Sequence, residues 1–242
     1  MKNLEEKISK ITETDIRSTL ISLDGGLDQK NSGRDCNTRY ASFDYCFNYF
    51  QSFENKKDIA DKENIQTSCL QLAFYLASWG MLRGSTFLLQ KSIKFYEPLI
   101  RYISEMESSF WSIDVNDYSN ENIQKLADCK SRITEILGEN EKRNVTDTQI
   151  TKIMLGVFGN VPAFDTYFIT GCGLRNFNEK SLKSISDFYK KYSNLIDNEA
   201  NKRNTFDFDS NGGYTKRKYT RAKIIDMIFF GRGLFFEAKY LI

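Results

Sequence analysis

The sequence contains no histidine in its 242 residues. That absence excludes Ser-His-Asp and Cys-His catalysis, metal sites with histidine ligands, and a histidine pH switch. The five cysteines are odd in number and include no CxxC pair, so neither a disulfide framework nor a cysteine-rich metal site is indicated. We therefore expect reduced, partly buried thiols and a protein that uses no metal and no cofactor.

Proline and long apolar runs are also scarce. Only two prolines occur, which leaves room for long helices. The two most apolar stretches are 70–90, which Arg83 interrupts, and 224–242, which Arg232, Glu237 and Lys239 interrupt. Neither provides the roughly 20 uninterrupted apolar residues of a membrane helix. The opening stretch MKNLEEKISKITETD is charged and lacks the apolar centre of a signal peptide. These features predict a soluble, cytoplasmic protein without membrane contact.

An excess of charge of either sign is missing as well. The 34 basic and 32 acidic side chains give a net charge of +2, so nucleic-acid binding would need a local basic patch. Apolar side chains, by contrast, are plentiful. Hydrophobic residues make up 40% of the chain and aromatic residues 14%, which is ample for a real core.

Apolar residues spaced three and four apart predict helices along most of the chain. The segment IRSTLISLDGG (16–26) is instead predicted as a brief strand or extended arm, and the polar stretch 201–216 as a mobile loop. The predicted helices cover about 3–13, 40–50, 64–79, 85–107 (bent or restarted near Pro98), 120–138, 147–157, 165–170, 178–200 and the chain from Tyr219 or Thr220 onward.

The sequence therefore predicts an all-α fold of about eight or nine helices without a convincing sheet. We expect one domain over residues 1–242. Its two lobes, 37–140 and 141–242, would meet at a cleft, with 1–36 as an N-terminal arm.

The stretch GNVPAFDTYF (159–168) places Asp165 just after one of the two prolines and at the start of a predicted helix. The first amides and the dipole of a helix favour the anionic form of such a carboxylate. A fixed carboxylate can stabilise the positive charge that builds on a sugar ring when an N-glycosidic bond breaks, without histidine or metal. Aspartate is also among the commonest helix N-caps, so a purely structural role for Asp165 is the alternative.

The longer segment 146–175 resembles helix-hairpin-helix DNA glycosylases, the superfamily of endonuclease III and 8-oxoguanine glycosylase. It is similar to the part of that family that runs from the second hairpin helix to the catalytic aspartate, with matches at Phe158-Gly159, Pro162 and Asp165-Thr166. The family is all-helical, with two lobes around a cleft. The resemblance implies Asp165 as the catalytic carboxylate, a DNA substrate, and a target base that is flipped into an aromatic pocket.

The segment also departs from the family pattern. GENEKRNVTDTQ (138–149) lacks the Gly-x-Gly hairpin, and Tyr167 replaces the histidine of the Asp-Thr-His signature. Thr148 stands at about the position of the Schiff-base lysine of bifunctional members, and Lys152 lies one turn further on. We therefore expect a monofunctional enzyme without strand cleavage by β-elimination.

A basic run with interleaved tyrosines, YTKRKYTRAK (214–223), is the best partner signal. Cations neutralise phosphates and aromatic rings stack on bases, as a nucleic-acid surface requires. A solvated basic loop is the alternative interpretation. The residues predicted to bind the nucleic-acid backbone are Lys216, Arg217, Lys218, Arg221 and Lys223 of this run, together with Lys152.

Trp79, Arg83 and Tyr167 are the predicted pocket residues. The alternative for SWGMLRGS (78–85) is a tight helical junction, which its glycines would serve equally well. Asp226 lies inside an apolar run, where it should either pair with an arginine, Arg221 or Arg232, or line a cleft.

Two functions follow from these patterns. The first is a metal-free base-excision glycosylase that acts on DNA through Asp165. The second is a non-catalytic all-α subunit that binds nucleic acid or protein within a bacterial defence assembly, for example against phage, or a nucleic-acid-handling assembly. The second predicts an exposed apolar patch, with 224–242 as the candidate surface.

Overall fold

The computed structural model describes residues 5–25, 34–84, 86–138 and 145–240, and among these the side chains of 7–235. Twelve α-helices and one two-stranded sheet lie in these ranges. The predicted all-α class is confirmed, with more helices than expected. None of the described helices is both long enough and apolar enough to cross a membrane.

The elements follow one another along the chain with short connections. The α-helices are α1 (Glu5–Ser9), α2 (Glu13–Gly25), α3 (Ser42–Ser52), α4 (Ile65–Ser78), α5 (Glu97–Ser104), α6 (Ser108–Trp111), α7 (Asn120–Gly138), α8 (Asp147–Phe158), α9 (Thr166–Cys172), α10 (Glu179–Lys191), α11 (Ser193–Lys202) and α12 (Arg221–Tyr240). Short 3-10 turns occupy Arg39–Ala41, Lys56–Ala60, Phe87–Gln90, Ile93–Tyr96 and Val115–Asp117. The strands are β1 (Asn204–Phe206) and β2 (Tyr214–Lys218), which pair antiparallel.

Residues 16–25 are helical, so the predicted strand or arm is wrong there. Helix α2 starts from a reciprocal pair in which the Thr12 backbone amide donates to Asp15 Oδ2 (2.9 Å) and the Asp15 amide donates to Thr12 Oγ1 (3.2 Å). Such a reciprocal cap satisfies the free amides of a first turn. Ile16 and Leu20, one turn apart, are then buried. Helix α2 contacts α12, and α1 contacts α9.

Residues 201–216 include a hairpin rather than only the predicted mobile loop. Strands β1 and β2 are short, and an isolated pair of this length is at best marginally stable. Tertiary contacts hold it: the Phe206 amide donates to the buried Asp44 Oδ2 (2.8 Å), and the Phe206 and Tyr214 rings stack at 4.9 Å. The contact with Asp44 comes from α3, so local sequence could not reveal it.

Two predicted long helices are divided, the first of them at the expected place, because α5 begins at Glu97 with Pro98 in its first turn. In its described part, the segment 85–107 forms two 3-10 turns before α5, and 178–200 forms α10 and α11, which meet at Tyr192. Tyr192 leaves helical geometry with φ −122° and ψ 24°. Its buried hydroxyl donates to the carbonyl of Ile11, so a contact with the N-terminal segment accompanies the break.

Helices α9 and α12 approach each other at backbone distance. A methyl group on Gly171 would overlap the Phe229 carbonyl, and one on Gly233 would overlap the Tyr167 carbonyl. Gly171 belongs to the sequence Gly171-Cys172-Gly173 and Gly233 to Gly231-Arg232-Gly233. The close approach of the two helices explains why a glycine is needed at Gly171 and at Gly233. The contact fixes α9, and with it Asp165, against α12. One connected set of buried apolar side chains runs from Ile8 to Phe229.

Candidate functional site

Asp165 is the N-cap of α9, as the sequence predicts. Its backbone is extended (φ −91°, ψ 176°), and its Oδ1 accepts the Phe168 amide at 3.0 Å. A side-chain oxygen in this position satisfies one of the free amides of the first turn, and the helix dipole favours its negative charge. The side chain is 14% exposed, so the carboxylate is partly accessible.

The loop before Asp165 is held from both sides. The Ala163 amide donates to Asp226 Oδ1 on α12 (3.0 Å), and the Phe164 amide donates to Thr151 Oγ1 on α8 (2.8 Å). Thr148 Oγ1 donates to the Phe164 carbonyl at 2.7 Å. The loop therefore presents Asp165 in one fixed orientation.

Lys152 pairs with Asp165. Lys152 Nζ donates to Asp165 Oδ2 at 2.8 Å, and the lysine side chain is 3% exposed. Removing an ammonium and a carboxylate from water costs several kcal/mol per ion before their attraction offsets it. The buried Lys152 amine therefore lies against Asp165 and away from the protein surface. The predicted contact of Lys152 with a nucleic-acid backbone would form at that surface.

A second buried lysine–carboxylate pair lies on α12. Lys223 Nζ donates to Asp226 Oδ2 at 3.0 Å, with the two side chains 7% and 8% exposed. Asp226 therefore pairs with neither Arg221 nor Arg232. Arg221 Nε instead donates to Asp197 at 2.7 Å, and Arg232 lies 3.7 Å from Asp15. Lys223 and Asp226 stand three residues apart on one helix face, which explains why Asp226 pairs with Lys223.

Trp79 brings the two pairs together. Lys152 Nζ lies 4.7 Å from the centre of the indole ring and Lys223 Nζ lies 5.4 Å from it. An aromatic ring attracts a cation within about 6 Å of its centre, more strongly where water is excluded. Two buried ion pairs and one tryptophan thus form a connected cluster, which we call the lysine–tryptophan cluster: Lys152, Asp165, Lys223, Asp226 and Trp79.

Two more rings adjoin Trp79, and a third lies next to one of them. Tyr40 and Phe230 lie edge-on to Trp79, at 5.6 and 5.8 Å, and Tyr167 lies 5.2 Å from Phe230. Trp79, Tyr40 and Tyr167 are half-buried residues, although the indole Nε1 of Trp79 is itself buried. Arg83 is exposed, with its side chain folded against Gly80 next to the tryptophan. The predicted pocket residues thus lie at one place. Tyr40 and Phe230 lie there too, and the sequence did not identify these two as pocket residues.

Comparison of the chain with protein-family models, with curated proteins and with solved structures finds no match. The chemistry of the site therefore follows from its own groups. It offers a fixed carboxylate, two ammonium groups and partly open aromatic rings. Within the described ranges, no three cysteine, aspartate or glutamate side chains gather as a metal site requires.

The predicted basic run divides between several environments. Lys216 and Lys218 are exposed on β2, whereas Arg217 faces the other side, 5.9 Å from the Phe47 ring, where burial lowers its pKa. Arg221 is held by its ion pair with Asp197. Together with the buried Lys223, these placements leave Lys216 and Lys218 as the exposed cations of the run.

The N-terminus of α12 is also already occupied. Asp114 accepts the amides of Arg221 and Ala222 at 2.8 and 2.9 Å, and Thr220 Oγ1 accepts the amide of Lys223 at 3.1 Å. Burial raises the pKa of Asp114. The amides at this helix start, which could otherwise donate to a phosphate, are therefore bonded within the protein.

Tyr75 lies beneath the cluster and packs on α8, where a methyl group on Gly156 would overlap its ring. Burial raises the pKa of the Tyr75 phenol well above its usual range, and the negative charges of Asp226 and Asp165 act in the same direction. The phenol therefore stays protonated near neutral pH. Among the groups of this region, Asp165 remains the partly accessible carboxylate.

Proposed function

We propose that this chain cleaves the N-glycosidic bond of a nucleotide in DNA and that Asp165 is its catalytic carboxylate. The observation that carries the proposal is the position of Asp165. It is fixed at the first amides of α9, it is bonded to Lys152, and it is partly open beside half-buried aromatic rings.

The reaction needs a negative charge next to the sugar. The bond between C1′ and the base nitrogen breaks with its electron pair on the base, which leaves positive charge on the sugar ring. A carboxylate held in a site with little water stabilises that charge without reorganising. A water oxygen then bonds to C1′, its proton passes to Asp165, and the departing base is finally protonated from solvent.

The carboxylate keeps capacity for this water. An ionised carboxylate offers about four lone-pair sites, and Asp165 uses two of them, for Phe168 and Lys152. The hydrogen bond from Lys152 to one carboxylate oxygen holds Asp165 in place. We assign Lys152 as a positioning residue in this reaction, in line with the expected absence of β-elimination.

The aromatic rings supply the surface for the base. A base can reach such a site only after it leaves the stack, and enzymes that flip bases hold them against aromatic or apolar side chains. Tyr40, Trp79 and Tyr167 offer ring surface beside the catalytic carboxylate.

The test is base release from duplexes that carry damaged or modified bases, with wild type, Asp165→Asn and a matched control, Asp187→Asn. Asp187 is 76% exposed and pairs with Lys190 on the protein surface. We expect release by wild type and by the control, and a loss of about 10²-fold or more in Asp165→Asn. If wild type releases no base from any duplex, the proposal fails.

Borohydride trapping tests the role of Lys152. We expect no covalent adduct with DNA, because the amine is buried and bonded to Asp165. An adduct that disappears in Lys152→Met would show that the amine attacks C1′, which would replace water as the nucleophile.

A non-catalytic binding subunit is the second candidate function, and two observations favour it. Both oxygens of Asp165 already accept hydrogen bonds within the protein, as in a purely structural cap. Leu70 and Phe74, one turn apart on α4, are 46% and 71% exposed. The patch expected within 224–242 is not available over 224–230, since most of its apolar side chains are buried. A binding subunit would bind DNA or protein equally well in wild type and Asp165→Asn, with no base released by either.

A further inference from the structure

Two exposed arginines lie near the aromatic rings of the site. The Arg39 guanidinium carbon lies 5.1 Å from the centre of the Tyr40 ring and 6.0 Å from that of Trp79. The Arg83 side chain lies against Gly80, the residue after Trp79, where a methyl group on Gly80 would lie 2.9 Å from the Arg83 Nε. Gly80 has a left-handed backbone (φ +75°), which favours glycine and lets the chain turn there. This turn holds Arg83 next to Trp79.

The positive charge of these two arginines is not compensated by the described part of the chain. Two other exposed arginines, Arg101 and Arg132, have carboxylate partners about one turn away, Glu97 and Glu135. Over the ranges that the structure describes, no carboxylate forms an ion pair with Arg39 or Arg83. The buried lysines of the cluster differ, because each is already neutralised by an aspartate.

We infer that Arg39 and Arg83 bind phosphate groups of a polynucleotide, and that the rings of Tyr40 and Trp79 receive one of its bases. The inference rests on the proposed function, because it names what holds the DNA at that site. A guanidinium presents a fork of donors that matches phosphate oxygens, and it remains charged at all relevant pH values. Aromatic rings next to such cations are the second element of a surface for single-stranded nucleic acid.

Two uncompensated charges favour a polynucleotide over other phosphate carriers. A strand offers one phosphate for each nucleotide, so two neighbouring phosphates can meet two arginines. A nucleoside monophosphate or inorganic phosphate supplies only one group. A phosphopeptide or an anionic lipid surface supplies phosphate without a base for the rings.

The main experiment measures binding of a fluorescent single-stranded oligonucleotide, and of a duplex with a stable abasic-site analogue, at several salt concentrations. The proteins are full-length wild type, Arg39→Gln, Arg83→Gln, the double variant, and Arg132→Gln as a control with the same loss of charge. Each phosphate contact on a single strand contributes about 0.7 to the slope of log affinity against log salt. We expect each single variant to lose about 0.7 of that slope, and on the order of tenfold in affinity.

Tryptophan emission gives a second readout at the site. The chain has two tryptophans, of which Trp111 is buried and Trp79 is half-buried beside Arg39. We expect the oligonucleotide to change the emission of wild type and of Arg132→Gln, and to leave that of Trp79→Phe unchanged. Phosphate alone, a nucleoside monophosphate, a phosphopeptide and anionic phospholipid vesicles should change it far less at equal phosphate concentration.

The outcomes separate this inference from the proposed function. Binding that depends on both arginines, without any base release, would support the phosphate contacts and contradict the glycosylase. Base release and a salt slope that are unchanged in the double variant would support the glycosylase and overturn the phosphate contacts. A stronger response to phosphopeptide or vesicles than to the oligonucleotide would also overturn the inference.

Discussion

Breaking the Lys152–Asp165 pair from one side or the other should have unequal effects on stability. Asp165→Asn keeps an oxygen that can cap α9, but it leaves the Lys152 ammonium buried, at 3% exposure, without a counter-charge. Lys152→Met removes the buried charge and leaves Asp165 with its Phe168 amide and partial access to water. The charge that stays behind therefore decides which variant is less stable.

The magnitudes follow from burial. Removing one partner of a buried pair, with the other charge left behind, costs about 3–5 kcal/mol, and we place Asp165→Asn near the lower end because the site is not fully closed. Lys152→Met should cost about 1 kcal/mol, the value of one hydrogen bond. The double variant should lie near Lys152→Met, because replacing a buried pair by uncharged groups is often close to neutral.

A double-mutant cycle measures the difference. Urea unfolding of the four proteins near pH 7, followed by circular dichroism and by tryptophan fluorescence, gives the four free energies if the two probes agree. We expect the double variant to be more stable than the sum of the single changes by about 2 kcal/mol or more. Lys183 and Glu179, an exposed pair one turn apart on α10, provide the control, with an expected coupling of about 0.3–0.5 kcal/mol. Single effects that add within about 0.5 kcal/mol, or a larger cost for Lys152→Met than for Asp165→Asn, would refute the reasoning.

Two further changes test the fold by urea unfolding. Gly233→Ala should be destabilised by about 3 kcal/mol or more, because a methyl group there overlaps the Tyr167 backbone. The control Gly212→Ala, with φ +78° and open space around it, should lose only about 1–2 kcal/mol. Equal losses of stability would contradict the close approach of α9 and α12. Burial raises the pKa of Asp44 above 3.8, so the folded state holds this proton more tightly and the contribution of Asp44 to stability falls as the pH rises above that value. The free energy of unfolding of wild type relative to Asp44→Asn should therefore decrease from pH 4 towards pH 7, and a constant or increasing difference would contradict it.

Local signals predicted the helices that end in recognisable caps. Helix α8 begins at Thr146, whose side chain exchanges hydrogen bonds with Gln149, and ends at Gly159 with φ +69°. The sequence placed this helix within one or two residues. The N-cap role of Asp165 is of the same local kind, and it was predicted from an aspartate that follows a proline-containing loop.

Features created by distant contacts were missed. The hairpin depends on Asp44 and on ring stacking between its strands, and the break at Tyr192 coincides with a bond to Ile11. The capping pair Thr12 and Asp15 was a readable signal for α2, but the β-branched residues after it led to the wrong prediction.

The candidate site also combines a pairing that local spacing could predict with contacts that only the fold creates. Lys223 and Asp226 stand three residues apart on a predicted helix, so their pairing could have been predicted from spacing alone. The pairing of Lys152 with Asp165 depends on the path of the loop between α8 and α9. The gathering of Trp79, Tyr40 and Phe230 depends on the packing of three separate elements, for which the sequence holds no local signal.

The most direct test of the account is a single-turnover measurement of base release, with enzyme in excess, on a duplex from which wild type releases a base. Rates are compared between wild type, Asp165→Asn and Asp187→Asn at protein concentrations that saturate the DNA. The account predicts a rate lower by about 10²-fold or more in Asp165→Asn, with unchanged DNA affinity and an unchanged rate in the control. Equal rates in Asp165→Asn and wild type would contradict it.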